Sequence, residues 1–231
     1  MSIENFYYLI INIFVISIPL ALSFDKKVHF YKRWKYYFPA LLIVAFIFVV
    51  WDIYFTKIGI WGFNPRYLTG IDIINLPLEE VLFFITIPYA CTFLYDTFKM
   101  YLPNVKFKYL GIITYAFITL AISYFTFFHY GKYYSTSTAL VTTIVLGYIF
   151  LKRPYYINKL AFAYAISIIP FLLVNGILTG SGIPEQIVWY NPNEFSGIRI
   201  GTIPFEDFFY GFSLIALNII LYETFQLKSK A

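Results

Sequence analysis

The chain has 231 residues, of which 60% are hydrophobic and 23% aromatic, with only 13% charged and a formal net charge of +5. A soluble domain of that length cannot bury so much apolar surface, so the composition implies an integral membrane protein. Its Lys and Arg side chains fall in short clusters between apolar runs rather than along one stripe, which excludes nucleic acid and makes the lipid bilayer the basic residues' partner.

The first apolar run covers residues 6 to 24, enough for a helix to cross a hydrocarbon core of ~30 Å. Its leading segment, MSIEN, carries no Lys or Arg, while Lys26, Lys27, Lys32, Arg33 and Lys35 follow the run. That order fits a retained helix better than a secretory signal. A second run spans about 37 to 55 and holds Asp52 near its end. A loop from 56 to 76, rich in Gly and aromatic residues, precedes a third run from 77 to 98, which opens on Pro77 at a first helical position. Runs four to seven cover 107 to 128, 133 to 151, 158 to 178 and 203 to 225. The lone cysteine, Cys91, lies inside the third run as a small core residue, so no intrachain disulfide forms.

The segment 63 to 80, FNPRYLTGIDIINLPLEE, recurs as 190 to 207, YNPNEFSGIRIGTIPFED, at an offset of 127 residues. Seven of the eighteen positions are identical, among them Asn64/Asn191, Gly70/Gly197, Pro77/Pro204 and Glu79/Glu206. At the same offset LYDTF (94 to 98) meets LYETF (221 to 225). An internal duplication explains both. The offset maps run one onto five, two onto six and three onto seven, leaving run four as connector. The expected fold class is all-α integral membrane: seven transmembrane helices in two parallel three-helix repeats. The chain reads as a single membrane domain, 1–231, with repeat one at 1–105, a connecting helix at 106–130 and repeat two at 131–231. Parallel repeats argue against the inverted-repeat transporter plan.

Under this topology thirteen of the seventeen Lys and Arg residues, Lys230 included, lie on the side of the 25 to 36 loop. The positive-inside rule makes that side cytoplasmic and puts the N-terminus outside a cell membrane. The pairs Glu79–Glu80 and Glu206–Asp207 then sit at the outer ends of runs three and seven. Acids in a first helical turn complement the macrodipole and cap free N–H groups, and that alone explains many of them. These recur in both copies, however, and open into apolar aromatic helices where an ionised acid is costly. A carboxyl held there keeps its proton and is available as a general acid. The 50 Phe and Tyr residues are mostly lipid-facing or interfacial, and those facing a cavity would stabilise a cation.

Weaker candidates accompany them. Asp52 has Thr179 at the matching position of the second copy; it is either functional, a partner for Arg66, or tilted into the interface. Asn175 is polar glue between helices. Arg66 and Arg199, at non-equivalent loop positions, are candidates to pair with the acids. Tyr95 and Tyr222 read as packing or anchors, and two histidines, His29 and His129, are too few for a His-based metal site.

With its two Pro-x-Glu-Glu/Asp motifs, Pro77-Leu78-Glu79-Glu80 and Pro204-Phe205-Glu206-Asp207, in two three-helix units, the chain resembles the membrane-embedded lycopene cyclases of the heterodimeric bacterial, archaeal and fungal type. Here both halves are fused, and the resemblance covers nearly the whole chain. It implies a lycopene β-cyclase, a redox-neutral isomerase that closes the linear ends of lycopene into β-ionone rings. Lycopene and related acyclic carotenoids are the implied substrates, with Glu79, Glu80, Glu206 and Asp207 as catalytic residues. Of these the identical pair, Glu79 and Glu206, ranks first; only one acid of each pair faces the substrate, and the sequence leaves open which. Asn64, Pro77, Phe83, Asn191, Pro204 and Phe208 are the expected substrate-binding residues. No Gly-x-Gly-x-x-Gly follows a strand, so no bound cofactor and no metal are expected. The alternatives are a membrane prenyltransferase, which needs carboxylates at helical spacing for Mg²⁺ and a diphosphate, and a small proton- or cation-coupled transporter.

Overall fold

The computed structural model describes residues 2–229, so Lys230 lies outside the described residues. Seven helices among them are long and apolar enough to cross a membrane, and the protein is a multi-pass membrane protein. They are α1 (Tyr7–Leu22), α2 (Trp34–Lys57), α3 (Leu78–Tyr101), α4 (Lys108–Phe128), α5 (Tyr133–Lys152), α6 (Ile157–Leu178) and α7 (Phe205–Lys228). Each agrees with its apolar run to within a few residues, as it must where lipid offers the backbone no hydrogen-bond partner outside the helix.

The helices interlock. α1 packs on α3 and α5 on α7, while α2 packs on α7 and α6 on α3, so each half's second helix lies against the other half's third. α4 packs against α5 and α6. Rings fill the centre: Phe30, Tyr37, Tyr89 and Tyr222 make edge contacts at one end of the bundle. At the other end Trp51, Phe55, Trp61, Tyr134 and Tyr210 pack edge-on or tilted against one another.

The two Gly-rich loops contain short strands that composition alone does not reveal. β1 (Trp61–Phe63) pairs antiparallel with β4 (Val188–Tyr190), bringing the loops together at one end of the bundle. Asn64 N–H donates to the Ile187 carbonyl and Asn191 N–H to that of Ile60, both at 2.8 Å, so the two Asn-Pro turns lock each other. Gly62 is required here, because a Cβ would meet the Trp189 indole at 2.3 Å. Two further hairpins, β2 (Asp72–Ile73) with β3 (Leu76–Pro77) and β5 (Arg199–Ile200) with β6 (Ile203–Pro204), repeat the same register. Each turns on one residue at positive φ. Gly201 (φ 62°) adopts it freely, whereas the exposed Ile74 (φ 65°) carries strain of about 1 kcal/mol.

At the opposite end the repeated LYDTF and LYETF segments do more than pack. Tyr95 donates to Glu223 (2.7 Å) and Tyr222 to Asp96 (3.0 Å), so each half's tyrosine holds the other half's acid. Arg33 pairs with Asp96, and Lys99 with Glu223 at 2.5 Å, which compensates both buried charges.

Candidate active site

Each hairpin delivers its chain into a helix through a proline, and the first acid of the motif turns back to the loop. Glu79 Oε1 accepts the Thr69 N–H at 2.8 Å, and the Leu78 N–H closes on the Ile71 carbonyl at 2.8 Å. In the second copy Glu206 Oε1 accepts the Ser196 N–H at 2.6 Å and the Ser135 hydroxyl at 2.6 Å. Asn12 of α1 bonds the Glu79 carbonyl (3.0 Å) and accepts from Thr86 (2.6 Å), fixing α1 on α3. Glu79 and Glu206 are fully buried, and the identical pair therefore ties loops to helices.

The next residue lies about 100° further round the helix. That rotation takes Glu80 and Asp207 to a cavity of about 130 Å³ between α1, α2, α3, α6 and α7, several times the space one water needs. Apolar and aromatic side chains make most of its wall, including Phe83, Phe171, Val174 and Tyr210. Among the described residues three carboxyls reach it, Asp52, Glu80 and Asp207, and no Lys or Arg does. The wall runs past Cys91 and Ser167 and includes Pro170, which is exposed on the lipid-facing side of α6.

The two cavity acids differ in their partners. Glu80 accepts the Tyr8 hydroxyl (2.6 Å). Asp207 accepts three: Tyr134 (2.5 Å), Asn175 (2.7 Å) and Tyr190 (2.9 Å). The difference is written into the duplicated sequence, since the 127-residue offset puts Phe63 opposite Tyr190 and Phe48 opposite Asn175. Neither phenylalanine can donate, and Phe48 packs its ring on Phe84 and Tyr210 instead. Tyr190 lies on β4, outside the helices; burial first and then the Asp207 carboxylate push its hydroxyl well above the usual tyrosine range, so it stays a donor. Three donors thus fix the orientation of the Asp207 carboxyl, whereas a single hydroxyl donor and an apolar wall surround that of Glu80.

Asp52 is 1% exposed and takes the Trp61 indole N–H and the Thr56 hydroxyl (3.2 Å) on Oδ1. It is neither a partner of Arg66 nor tilted toward the interface. Arg66 pairs with Glu4 (2.9 Å) and Glu185 (3.5 Å), and Arg199 donates to the Thr202 carbonyl and lies over the Phe195 ring. Both arginines thus stay away from the acid pairs. Asn175 does join helices, through Asp207.

Of the expected substrate-binding residues the cavity is lined by Phe83. Asn64 and Asn191 shape their turns by accepting the Arg66 and Asn193 N–H groups, each at 3.1 Å. Pro77 and Pro204 end β3 and β6 where the helices start, and Phe208 packs on Phe171. Sequence reasoning passed over Tyr8, Tyr134, Tyr190, Trp61 and Tyr210. Tyr190 stands in the repeat alignment opposite Phe63, where a gained hydroxyl was the available signal. Tyr8 escapes because α1 and α5 are related by an offset of 126, one residue short of the motif's own, so the fixed offset pairs Tyr134 with Tyr7.

The model of the lycopene cyclase family matches residues 5–98 and 131–225, one segment in each half and together most of the chain. The chain belongs to the lycopene cyclase family. Neither curated proteins nor solved structures yield a match. Membership supports a membrane-embedded enzyme that cyclises carotenoids, and the boundaries of the two segments are compatible with the internal repeat. Within the family's two segments lie all three cavity carboxyls.

Proposed function

We propose that the protein is a lycopene β-cyclase of the cell membrane, with Glu80 as proton donor and Asp207 as the fixed negative charge facing the cation. The observation that carries this reading is a mostly apolar, aromatic cavity holding three carboxyls and no basic side chain. Such a cavity suits a substrate that is uncharged on entry and positive in the transition state. A diphosphate substrate would meet three carboxyls there with no Lys or Arg to receive it.

The reaction balances with no change of oxidation state. The Glu80 O–H bond breaks as a C–H bond forms at the CH carbon of the terminal double bond, leaving a tertiary cation. The next double bond attacks it and closes the six-membered ring, moving the charge to a ring carbon. Loss of the neighbouring ring proton to the carboxylate left on Glu80 restores the acid and yields the β-ring. Asp207, oriented by Tyr134, Asn175 and Tyr190, costs no reorganisation when the cation forms. Aromatic side chains such as Tyr210 and Phe83 line the cavity and exclude water that would trap the cation. A cavity of this size takes one end of the substrate, and the rest of the polyene leaves toward the lipid past Pro170 and Phe171.

The positive-inside rule supports an orientation in which the end with the basic loops faces the cytoplasm, the acids lie near the outer leaflet and the N-terminus is outside. Production in a bacterium that accumulates lycopene is expected to yield cyclised pigment, γ-carotene with one ring or β-carotene with two. Unchanged lycopene, with folded protein in the membrane, would overturn the proposal.

A further inference from the structure

The acid-donating half of the site contains a carboxyl without a counterpart in the other half. Asp52 enters the cavity from α2, one helix away from the motif, and Thr179 occupies the matching position on the C-terminal side of α6. Thr179 spends its hydroxyl on the Asn175 carbonyl (2.8 Å) and on Thr202 (2.8 Å). Asp52 is bonded on one oxygen only. Oδ1 takes both donors, Trp61 and Thr56, whereas Oδ2 is buried with no donor. The carboxyl within hydrogen-bonding reach is that of Glu80. Two carboxyls so placed in an apolar wall hold one proton between them, because two like charges side by side cannot both be ionised there.

We propose that Asp52 is a positioning residue for the proton donor: its Oδ2 accepts the Glu80 O–H, so the pair keeps one proton at neutral pH and presents it on Glu80. This rests on the reading of Glu80 as the acid. The assignment of the proton follows from the donors. Asp52 has two, one of them an indole N–H, and is the member held as carboxylate. Glu80, with the Tyr8 hydroxyl on Oε2, is the member that carries the hydrogen. When Glu80 protonates the alkene the pair is left with two negative charges beside the new cation, which favours both ring closure and return of the ring proton. The other titratable groups lining the cavity are Tyr8 from α1, Cys91 from α3, Tyr134 from α5, Tyr190 from β4, and Asp207 and Tyr210 from α7. No cationic side chain lines the cavity to take over the role of the proton.

The test is the pH dependence of cyclisation by the full chain in lipid vesicles carrying lycopene, comparing the native enzyme with Asp52→Asn. Without the neighbouring charge Glu80 releases its proton more readily, so the alkaline limb of the rate profile moves to lower pH by at least about one unit. Activity above the limb then falls about tenfold or more. An unmoved limb overturns the proposal, as does loss of activity at every pH in a folded variant. A second readout needs neither turnover nor the Asp52 variant. The infrared spectrum of the native protein should contain a protonated-carboxyl C=O stretch that disappears in Glu80→Gln. Its absence from the native protein, or its persistence in that variant, overturns the shared proton even if lycopene proves not to be the substrate.

Discussion

Glu80→Gln is expected to abolish ring formation, with a loss of about 10³-fold or more, while the protein still inserts and folds. The amide keeps the volume of the acid, and its carbonyl oxygen still accepts the Tyr8 hydroxyl that now binds Glu80 at 2.6 Å. What it removes is the hydrogen that the proposed mechanism gives to a carbon atom. General acids contribute roughly 10²–10⁴-fold where they protonate heteroatoms, and an alkene, which has no lone pair, depends on the acid more. Glu79→Gln provides the contrast. Its Oε1 retains the Thr69 N–H bond of 2.8 Å, so cyclisation should fall less than about tenfold. Pigment analysis of lycopene-producing cells, normalised to membrane-inserted protein, separates the two. Full activity of the Glu80 variant would move the proton donor elsewhere.

Asp207→Asn is expected to slow cyclisation by about 10²–10³-fold through a different cause. In the proposed mechanism the side chain does not donate the proton; it supplies a negative charge, oriented by Tyr134, Asn175 and Tyr190, to the place where positive charge develops. Removing one preorganised electrostatic group costs on that scale in other enzymes. Asn keeps one oxygen for the Tyr134 hydroxyl, but its amide nitrogen now faces the Asn175 amide and the Tyr190 hydroxyl, so some local rearrangement accompanies the loss. The discriminating readout is the pH profile. The Asp207 variant should lose rate across the whole range with its alkaline limb moved less than that of the Asp52 variant, because the Asp52 charge acts on Glu80 more strongly than the Asp207 charge does. Native rates in Asp207→Asn would remove the fixed charge from the mechanism.

Much of this architecture is legible in the linear chain because lipid imposes strong constraints. A helix is the element that can cross it here, so seven apolar runs become seven helices with ends a few residues from where hydropathy puts them. The duplicated motif is equally plain. What escapes the sequence is what depends on direction. That Glu79 turns to the loop and Glu80 to the cavity follows from one 100° step around α3, and conservation between the two copies ranks them the other way. Identity between Glu79 and Glu206 reflects the same structural task in both halves, holding the Thr69 and Ser196 N–H groups. The cavity's asymmetry arises instead at positions where the halves differ: Asp52 against Thr179, Phe48 against Asn175, Phe63 against Tyr190. A comparison that searches for sameness passes over all three. The strands β1 and β4 are hidden for another reason, since three-residue pairings between loops 127 residues apart leave no local pattern.

In the proposed mechanism cyclisation is an acid-catalysed isomerisation with its proton taken from a carboxyl of the protein. A single turnover tests it most directly: purified protein in vesicles, equilibrated in D2O and in excess over lycopene, with the products read by mass spectrometry. The proposed mechanism predicts one ring formed per end reacted, with one deuterium gained and one protium lost for each ring and the total hydrogen count unchanged. Cyclised product without deuterium, or with two hydrogens more or fewer, would contradict it.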